Sequence, residues 1–311
     1  VQRFTQNKIQ YLRVITTNMC NMNCAGCHRE GQEQVGSSFS DDLLDAIFIC
    51  LSAGIKKVKF MGGEPTLCND LDKAIIAIKK EYPDTDISMI SNGTASILYY
   101  DKLFSSGLDR LNISVHGWNE KYFLQNTLSN ERLWKRFRDN LLTLLNENRI
   151  SKLNYVIKKG VNEDDLFQLI CDLSSRENVR LDILNYLMMP NCRTGEEWYY
   201  SFMDIEQLLN TRFGIETAFE RFNPYSLPSK ELVLNNGVHI NLKINQLNSV
   251  GYLNACSNCP VKKYCIEGIT AVRLSSNNTL QPCLFRNDNC FKIDIKDEKS
   301  SQKLFDFFLS L

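Results

Sequence analysis

The sequence predicts an α/β fold, a partial (β/α)6 TIM-like barrel followed by a smaller C-terminal domain, on three observations. Short β-rich runs alternate with amphipathic helical stretches over residues 9–200, which is the signature of a parallel sheet. The alternation counts six β/α units, too few for the usual eight-unit barrel, so the barrel is open. It then stops, and residues 201–311 carry one helix, a Val238–Ile244 strand and a late group of cysteines.

The elements follow in order. Leu12–Thr17 reads as the first strand. Ser40 caps a helix whose Leu43, Leu44, Ile47, Phe48 and Leu51 share one face, and Gly54 ends it. Val58–Met61 is the second strand, followed by a helix bearing Leu71, Ala74, Ile75 and Ile78. Ile87–Ile90 is the third, with a helix closing near Gly107. Leu111–Val115 is the fourth, with a long helix between Asn130 and Glu147 behind it. Leu153–Ile157 is the fifth, with Leu166, Leu169, Ile170 and Leu173 at helical spacing after it, and Leu181–Leu187 is the sixth.

Composition narrows the function classes. Among 311 residues, 36 Lys+Arg balance 36 Asp+Glu, so bulk charge argues for neither a nucleic-acid nor a membrane partner. There is no apolar run long enough to span a bilayer and no secretory-type stretch at the start. The expected compartment is therefore the cytoplasm, where the 12 cysteines are not structural disulfides. Fewer than 20 residues precede the first cysteine group, so no separate N-terminal recognition domain is expected.

The cysteines fall in two groups. Cys20, Cys24 and Cys27 lie in TTNMCNMNCAGCHREG, after the first strand, and can converge on one metal centre. Three thiolates do not close a four-ligand zinc site, and His28, adjoining Cys27, is awkwardly placed as a fourth ligand. A [4Fe–4S] cluster held by three cysteines leaves one iron open. Cys256, Cys259, Cys265 and Cys283 supply four donors, which suit zinc or a closed iron–sulfur cluster equally on spacing alone; Cys290 is unassigned. Cys50 and Cys171 fall in apolar helical patterns and read as small buried hydrophobes; Cys68 and Cys192 also read as structural. At the end of the second strand, FMGGEP sets Gly62 and Gly63 where backbone can approach a ligand, with Glu64 offering a carboxylate to a cation and Pro65 completing the turn.

The triad together with FMGGEP one β/α unit later resembles the radical S-adenosylmethionine (radical SAM) enzymes, and the resemblance covers most of the chain. It implies that Cys20, Cys24 and Cys27 hold a cluster whose open iron binds SAM through its amino and carboxylate groups. Reduction would then release a 5′-deoxyadenosyl radical that abstracts a substrate hydrogen, with an external electron donor such as flavodoxin or ferredoxin. Gly62, Gly63, Glu64 and Pro65 match the motif for the SAM ammonium. Ser91, Asn92, Gly93, Ser114 and Asn154 fall at strand ends suited to the SAM carboxylate or ribose, and Met188 near the adenine; His116 is a turn residue or faces substrate. One departure is visible: the residue before the third cysteine is usually aromatic, packing near adenine, and here it is Gly26.

Beside such a core the second group is expected to hold an auxiliary [4Fe–4S] cluster, giving two [4Fe–4S] clusters in all. LRVITTNMCNMNCAGCHREG, KKVKFMGGEP, KLNYVIKKGVNEDD and RLSSNNTLQPCL further resemble the GTP 3′,8-cyclases of molybdenum-cofactor biosynthesis. That resemblance places Arg13, Lys57, Lys59, Lys152 and Arg273 as substrate-binding cations, and convergent cations suit phosphate oxygens. Ala271 and Ile183 stand where those enzymes carry arginines, an insertion holds Cys265, and the chain ends FDFFLSL instead of Gly-Gly, departures that argue against guanine recognition of the cyclase's kind. The expected substrate is a phosphorylated, nucleotide-like small molecule undergoing cyclisation or carbon-skeleton bond formation. Two alternatives are a radical SAM maturase acting on a ribosomally made peptide and a zinc-stabilised binding protein without catalysis.

Overall fold

The computed structural model describes residues 9–27, 39–174, 176, 178–186, 196–221, 229–243, 256–258, 269, 271–283, 286 and 288–311. Strands β1 (Tyr11–Ile15), β2 (Lys57–Met61), β3 (Asp86–Ser91), β4 (Arg110–Val115), β5 (Ile150–Ile157) and β6 (Arg180–Asn185) lie side by side in chain order, each parallel to the next. Between them run α1 (Asp41–Ser52), α2 (Leu71–Glu81), α3 (Ile97–Ser105), α4 (Glu120–Thr127), α5 (Glu131–Asn146) and α6 (Glu163–Leu173). This is the open six-unit barrel that the alternation predicts.

Alternation within each strand divides its side chains between two layers. Leu12, Val14, Val58, Phe60, Ile87, Met89, Leu111 and Ile113 are fully buried and pack with the apolar faces of the helices. Each such side chain contributes about 1.5–3 kcal/mol. Their alternates (Arg13, Lys59, Ser88, Asn112, Lys152) are polar and line the other face. Helix starts follow the cap residues: Ser40, Ser96, Asn119 and Asn130 accept backbone N–H groups of α1, α3, α4 and α5.

The strands of the C-terminal part join the barrel sheet. After α7 (Phe202–Phe213) come β7 (Ile215–Arg221), β8 (Ser229–Leu234), β9 (His239–Lys243), β10 (Val272–Leu274), β11 (Thr279–Gln281), β12 (Phe291–Lys292) and α8 (Ser300–Ser310). These strands extend the barrel sheet at both edges, in the order β12-β11-β10-β1-β2-β3-β4-β5-β6-β9-β8-β7. The reason is that an open barrel leaves two edge strands with unpaired backbone groups. β10 satisfies β1 in parallel, and β9 does the same for β6. Leu232, Leu242, Val272, Leu280, Leu304 and Phe308 join the same continuous core.

Two expectations change. A helix absent from the sequence reading, α4, fills the turn after β4, and Cys171 is exposed on α6, whereas Cys50 and Cys68 are buried as expected. Met188, Cys192, Cys259, Cys265, His28 and the end of the Leu181–Leu187 run lie outside the described residues. Among the described residues no helix is long and apolar enough to cross a membrane.

Candidate active site

The three early thiols sit on the loop leaving the C-terminal end of β1, and two sets of backbone contacts hold that loop. Gly63 N–H donates to Thr17 O at 2.7 Å and Glu64 N–H to Met19 O at 2.8 Å, so the glycine motif after β2 pairs with the loop as an irregular strand. A Cβ on Gly62 would lie 2.3 Å from Thr17 O, and one on Gly63 2.2 Å from Met19 O. The glycines are therefore required by the approach of the cysteine loop itself, beyond any approach of a ligand. On the other side, Asn23 N–H donates to Thr127 O at 2.9 Å and Ala25 N–H to Asn126 O at 2.8 Å, docking the loop onto the end of α4. Buried Asp165 fixes the start of α4 by accepting Trp118 N–H, Asn119 N–H and the Tyr155 hydroxyl.

Glu64 is engaged by hydrogen bonds within the protein. Its carboxylate is 1% exposed and accepts from Thr66 N–H and Oγ1, Ser91 Oγ and Asn92 N–H, the last at 2.7 Å. It clamps the end of β2 to the end of β3. Burial raises its pKa, opposed by these four bonds. Ser91 is likewise committed, between Glu64 and the Tyr100 hydroxyl, and Gly93 N–H donates to Ser91 Oγ. Asn92 and Asn21 form a bridge: Asn92 Nδ2 donates to Asn21 Oδ1 and Asn21 Nδ2 to Thr94 Oγ1, both at 2.8 Å, with Asn92 Nδ2 4.0 Å from Cys20 Sγ. Pro65 is buried and opens a single 3₁₀ turn, and Ser114 and Asn154 are register partners on β4 and β5.

Cys20 and Cys27 are exposed and Cys24 is half-buried, all as free thiols. Burial pushes the Cys24 thiol up to about 12, and Cys20 and Cys27 push it the same way; Cys20 is raised mainly by burial. Cys20 and Cys24 therefore resist carrying charge unless a cation stands beside them. Among the described residues no three His, Cys, Asp or Glu side chains are close enough to share one ion. A four-iron cube is wider than one ion and takes one thiol at each of three irons, which the three cysteines of this loop can supply. Of the later group, Cys256 and Cys283 are half-buried, and Cys290 lies close enough to Cys283 to feel its charge.

Below the loop, the inner barrel face carries cations in register. Arg273, Arg13 and Lys59 are neighbours across β10, β1 and β2. Lys59 packs on the Tyr11 ring, and its pKa is well lowered by burial and then by the like charges of Lys152, Arg13 and Arg110, against the opposing pull of Asp182. Lys152 is held by Asp182 at 2.8 Å. Lys57 is not part of this layer: it is exposed at the start of β2, the rim away from the cysteine loop. Residues that the motifs alone do not reveal are Asn126, Lys158 and Tyr186; only their positions just after strands or at a helix end hint at them. His116 Nε2 is 3.9 Å from Cys24 Sγ, and burial, with the charge of Lys158, holds its pKa down at about 4.

An open parallel barrel with a thiol triad and a glycine-built ledge at the C-terminal mouth of its strands defines an iron–sulfur enzyme of the barrel type. The radical SAM superfamily profile matches residues 14–172, and the chain belongs to that superfamily. It is accordingly an enzyme of radical chemistry that uses SAM and [4Fe–4S] iron–sulfur chemistry. The chain is 27% identical to a probable GTP 3′,8-cyclase of Methanocella arvoryzae, over 92% of this chain and 85% of that protein. It is 29% identical to a probable GTP 3′,8-cyclase of Sulfolobus acidocaldarius, over 93% and 85%. In fold it is similar to Streptococcus suis SuiB bound to precursor peptide SuiA, with a TM-score of 0.64 at 16% identity, covering 96% of this chain. The chain spans 64% of that SuiB. It is also similar to anSMEcpe with bound AdoMet, with a TM-score of 0.59 at 13% identity, over 93% and 79%.

Proposed function

We propose that this radical SAM enzyme acts on a phosphorylated, nucleotide-like small molecule and drives cyclisation or carbon-skeleton bond formation, with Cys20, Cys24 and Cys27 holding the SAM-binding cluster. Cys256, Cys259, Cys265 and Cys283 are proposed to hold a second [4Fe–4S] cluster. The carrying observation is the row Arg273, Arg13 and Lys59, joined across the barrel by Lys152, with Asp182 as the carboxylate opposing Lys59. A polyanion would relieve the mutual repulsion of these cations, and their fixed strand positions would orient it beneath the cysteine loop. The sequence likeness to probable GTP 3′,8-cyclases supports the same substrate class.

When bound, the cluster supplies the electron that splits SAM into methionine and a 5′-deoxyadenosyl radical. The chain's own residues do the positioning. The Gly62–Gly63 backbone holds the cysteine loop in place, and Glu64 locks the two strand ends that form the ledge. Anaerobic incubation with a nucleoside triphosphate deuterated on its ribose tests this reading. Deuterium should appear in 5′-deoxyadenosine, and not when the matching phosphate-free nucleoside replaces it; equal transfer from both would remove the phosphate requirement.

A further inference from the structure

Lys158 follows β5 directly, at the mouth of the barrel beside the cysteine loop, and is 7% exposed. Its ammonium donates to Asn126 Oδ1 at 3.0 Å and lies over two rings, 5.6 Å from the Tyr186 centroid and 5.2 Å from that of Trp198. Those rings pack edge to face, and Lys159 N–H donates to Trp198 O, which holds the indole in place. Among the described residues no carboxylate is within ion-pair distance of this cation. Burial lowers its pKa, and the nearby Cys24 sulfur, when it carries charge as a ligand would, opposes that. Asn126 also ties the arrangement to its surroundings: its Nδ2 donates to His116 O at 2.7 Å, and its own carbonyl accepts Ala25 N–H, one residue past Cys24.

A buried ammonium without a carboxylate is costly unless another negative charge stands opposite it. The cation–π contacts and the amide oxygen offset part of that cost, and they also fix where the charge points. We infer that Lys158 is a built-in counter-charge for the thiolate-held cluster and sets how readily that cluster accepts an electron. The inference rests on the reading that Cys20, Cys24 and Cys27 hold a [4Fe–4S] group. An oxidised cube with a two-plus core and three thiolates carries one net negative charge. One electron from an external one-electron reductant, dithionite in the test, takes it to two, with no other bond made or broken. A fixed cation nearby stabilises the more negative state, so it raises the reduction potential. Lys158 is thus a positioning residue that acts through the cluster, and the aromatic pair is the clamp that prevents its ammonium from turning out to solvent.

The test is an anaerobic redox titration of reconstituted holoprotein, followed by the electron paramagnetic resonance signal of the reduced cluster, with iron and sulfide measured alongside. Lys158→Met should shift the midpoint to lower potential and Lys158→Arg should restore most of it, while Lys73→Met, an equal charge change on the exposed face of α2, should leave it unchanged. If the Met variant does not load iron, Lys158→Gln, which keeps a donor for Asn126, is titrated in its place. Failure of both neutral variants to load, with normal loading of Lys158→Arg, also supports the counter-charge. A loaded neutral variant with a wild-type midpoint overturns the inference, as does equal failure of the Arg variant. Wild-type protein that binds no iron would instead sink the proposed function.

Discussion

Gly26 and Tyr186 exclude each other's growth: a Cβ on Gly26 would lie 2.8 Å from Tyr186 Cε2 and 2.9 Å from its hydroxyl oxygen. Gly26 also has φ +81°, in the region that favours glycine. The aromatic that related enzymes carry next to the third cysteine therefore has no room here, and a ring from the end of β6 occupies that space. Gly26→Ala should destabilise the loop by about 1–2 kcal/mol from backbone strain alone. Iron bound per chain after reconstitution should fall; wild-type loading would contradict this.

Glu64 holds two strand ends through four accepted hydrogen bonds. Glu64→Ala leaves Asn92 N–H and Thr66 N–H without acceptors inside the protein, at about 1–3 kcal/mol each. Urea unfolding of the metal-free protein should show a clear loss of stability, smaller for Glu64→Gln. An unchanged midpoint would mean the clamp is not structural.

Lys59 and Lys57 are two residues apart, yet only Lys59 is in the inner cation layer. Lys59→Ala should weaken binding of a nucleoside triphosphate by about 10–100-fold, the loss of one charge-assisted hydrogen bond (~1.5–3 kcal/mol). Lys57→Ala should change it little, and SAM binding should survive both. Calorimetric titration separates the cases; equal effects of the two variants would contradict the register.

Thiol chemistry should divide the cysteines. Burial, aided by Asp70, pushes the Cys68 thiol up to about 11, so at neutral pH it is protonated and its thiolate fraction climbs tenfold per pH unit up to that value. Exposed Cys20 and Cys27 should be alkylated first in native metal-free protein at about pH 7, with Cys68 following only as pH rises. Mass spectrometry reads the order. Labelling of Cys68 as fast as Cys27 would contradict its burial.

Much of the barrel was legible because its signal is periodic. Leu43, Ile47 and Leu51, or Leu166, Leu169, Ile170 and Leu173, lie on one helical face and are buried. The Cys20–Cys24–Cys27 spacing was equally readable, being local. α4 escaped because it is eight residues long and buries only Phe123 and Thr127. β7 escaped because its side chains are almost all exposed and show no alternation. The edge pairing of β9 and β10 is non-local and has no sequence period. The internal contacts of Glu64 and Ser91 were not legible for a related reason: both are polar strand-end residues, and only the tertiary structure shows which groups they bond. Lys158 was invisible because the rings and amide that hold it come from three distant segments.

The central claim is that the three early thiols together support reductive SAM cleavage. The direct measurement is 5′-deoxyadenosine formed by anaerobically reconstituted protein with dithionite and SAM, compared with Cys20→Ala, Cys24→Ala and Cys27→Ala. Formation by the native chain and its loss in each variant is the predicted result. No 5′-deoxyadenosine from iron-loaded native protein, even with nucleotide present, or full activity in any of the three variants, would contradict it.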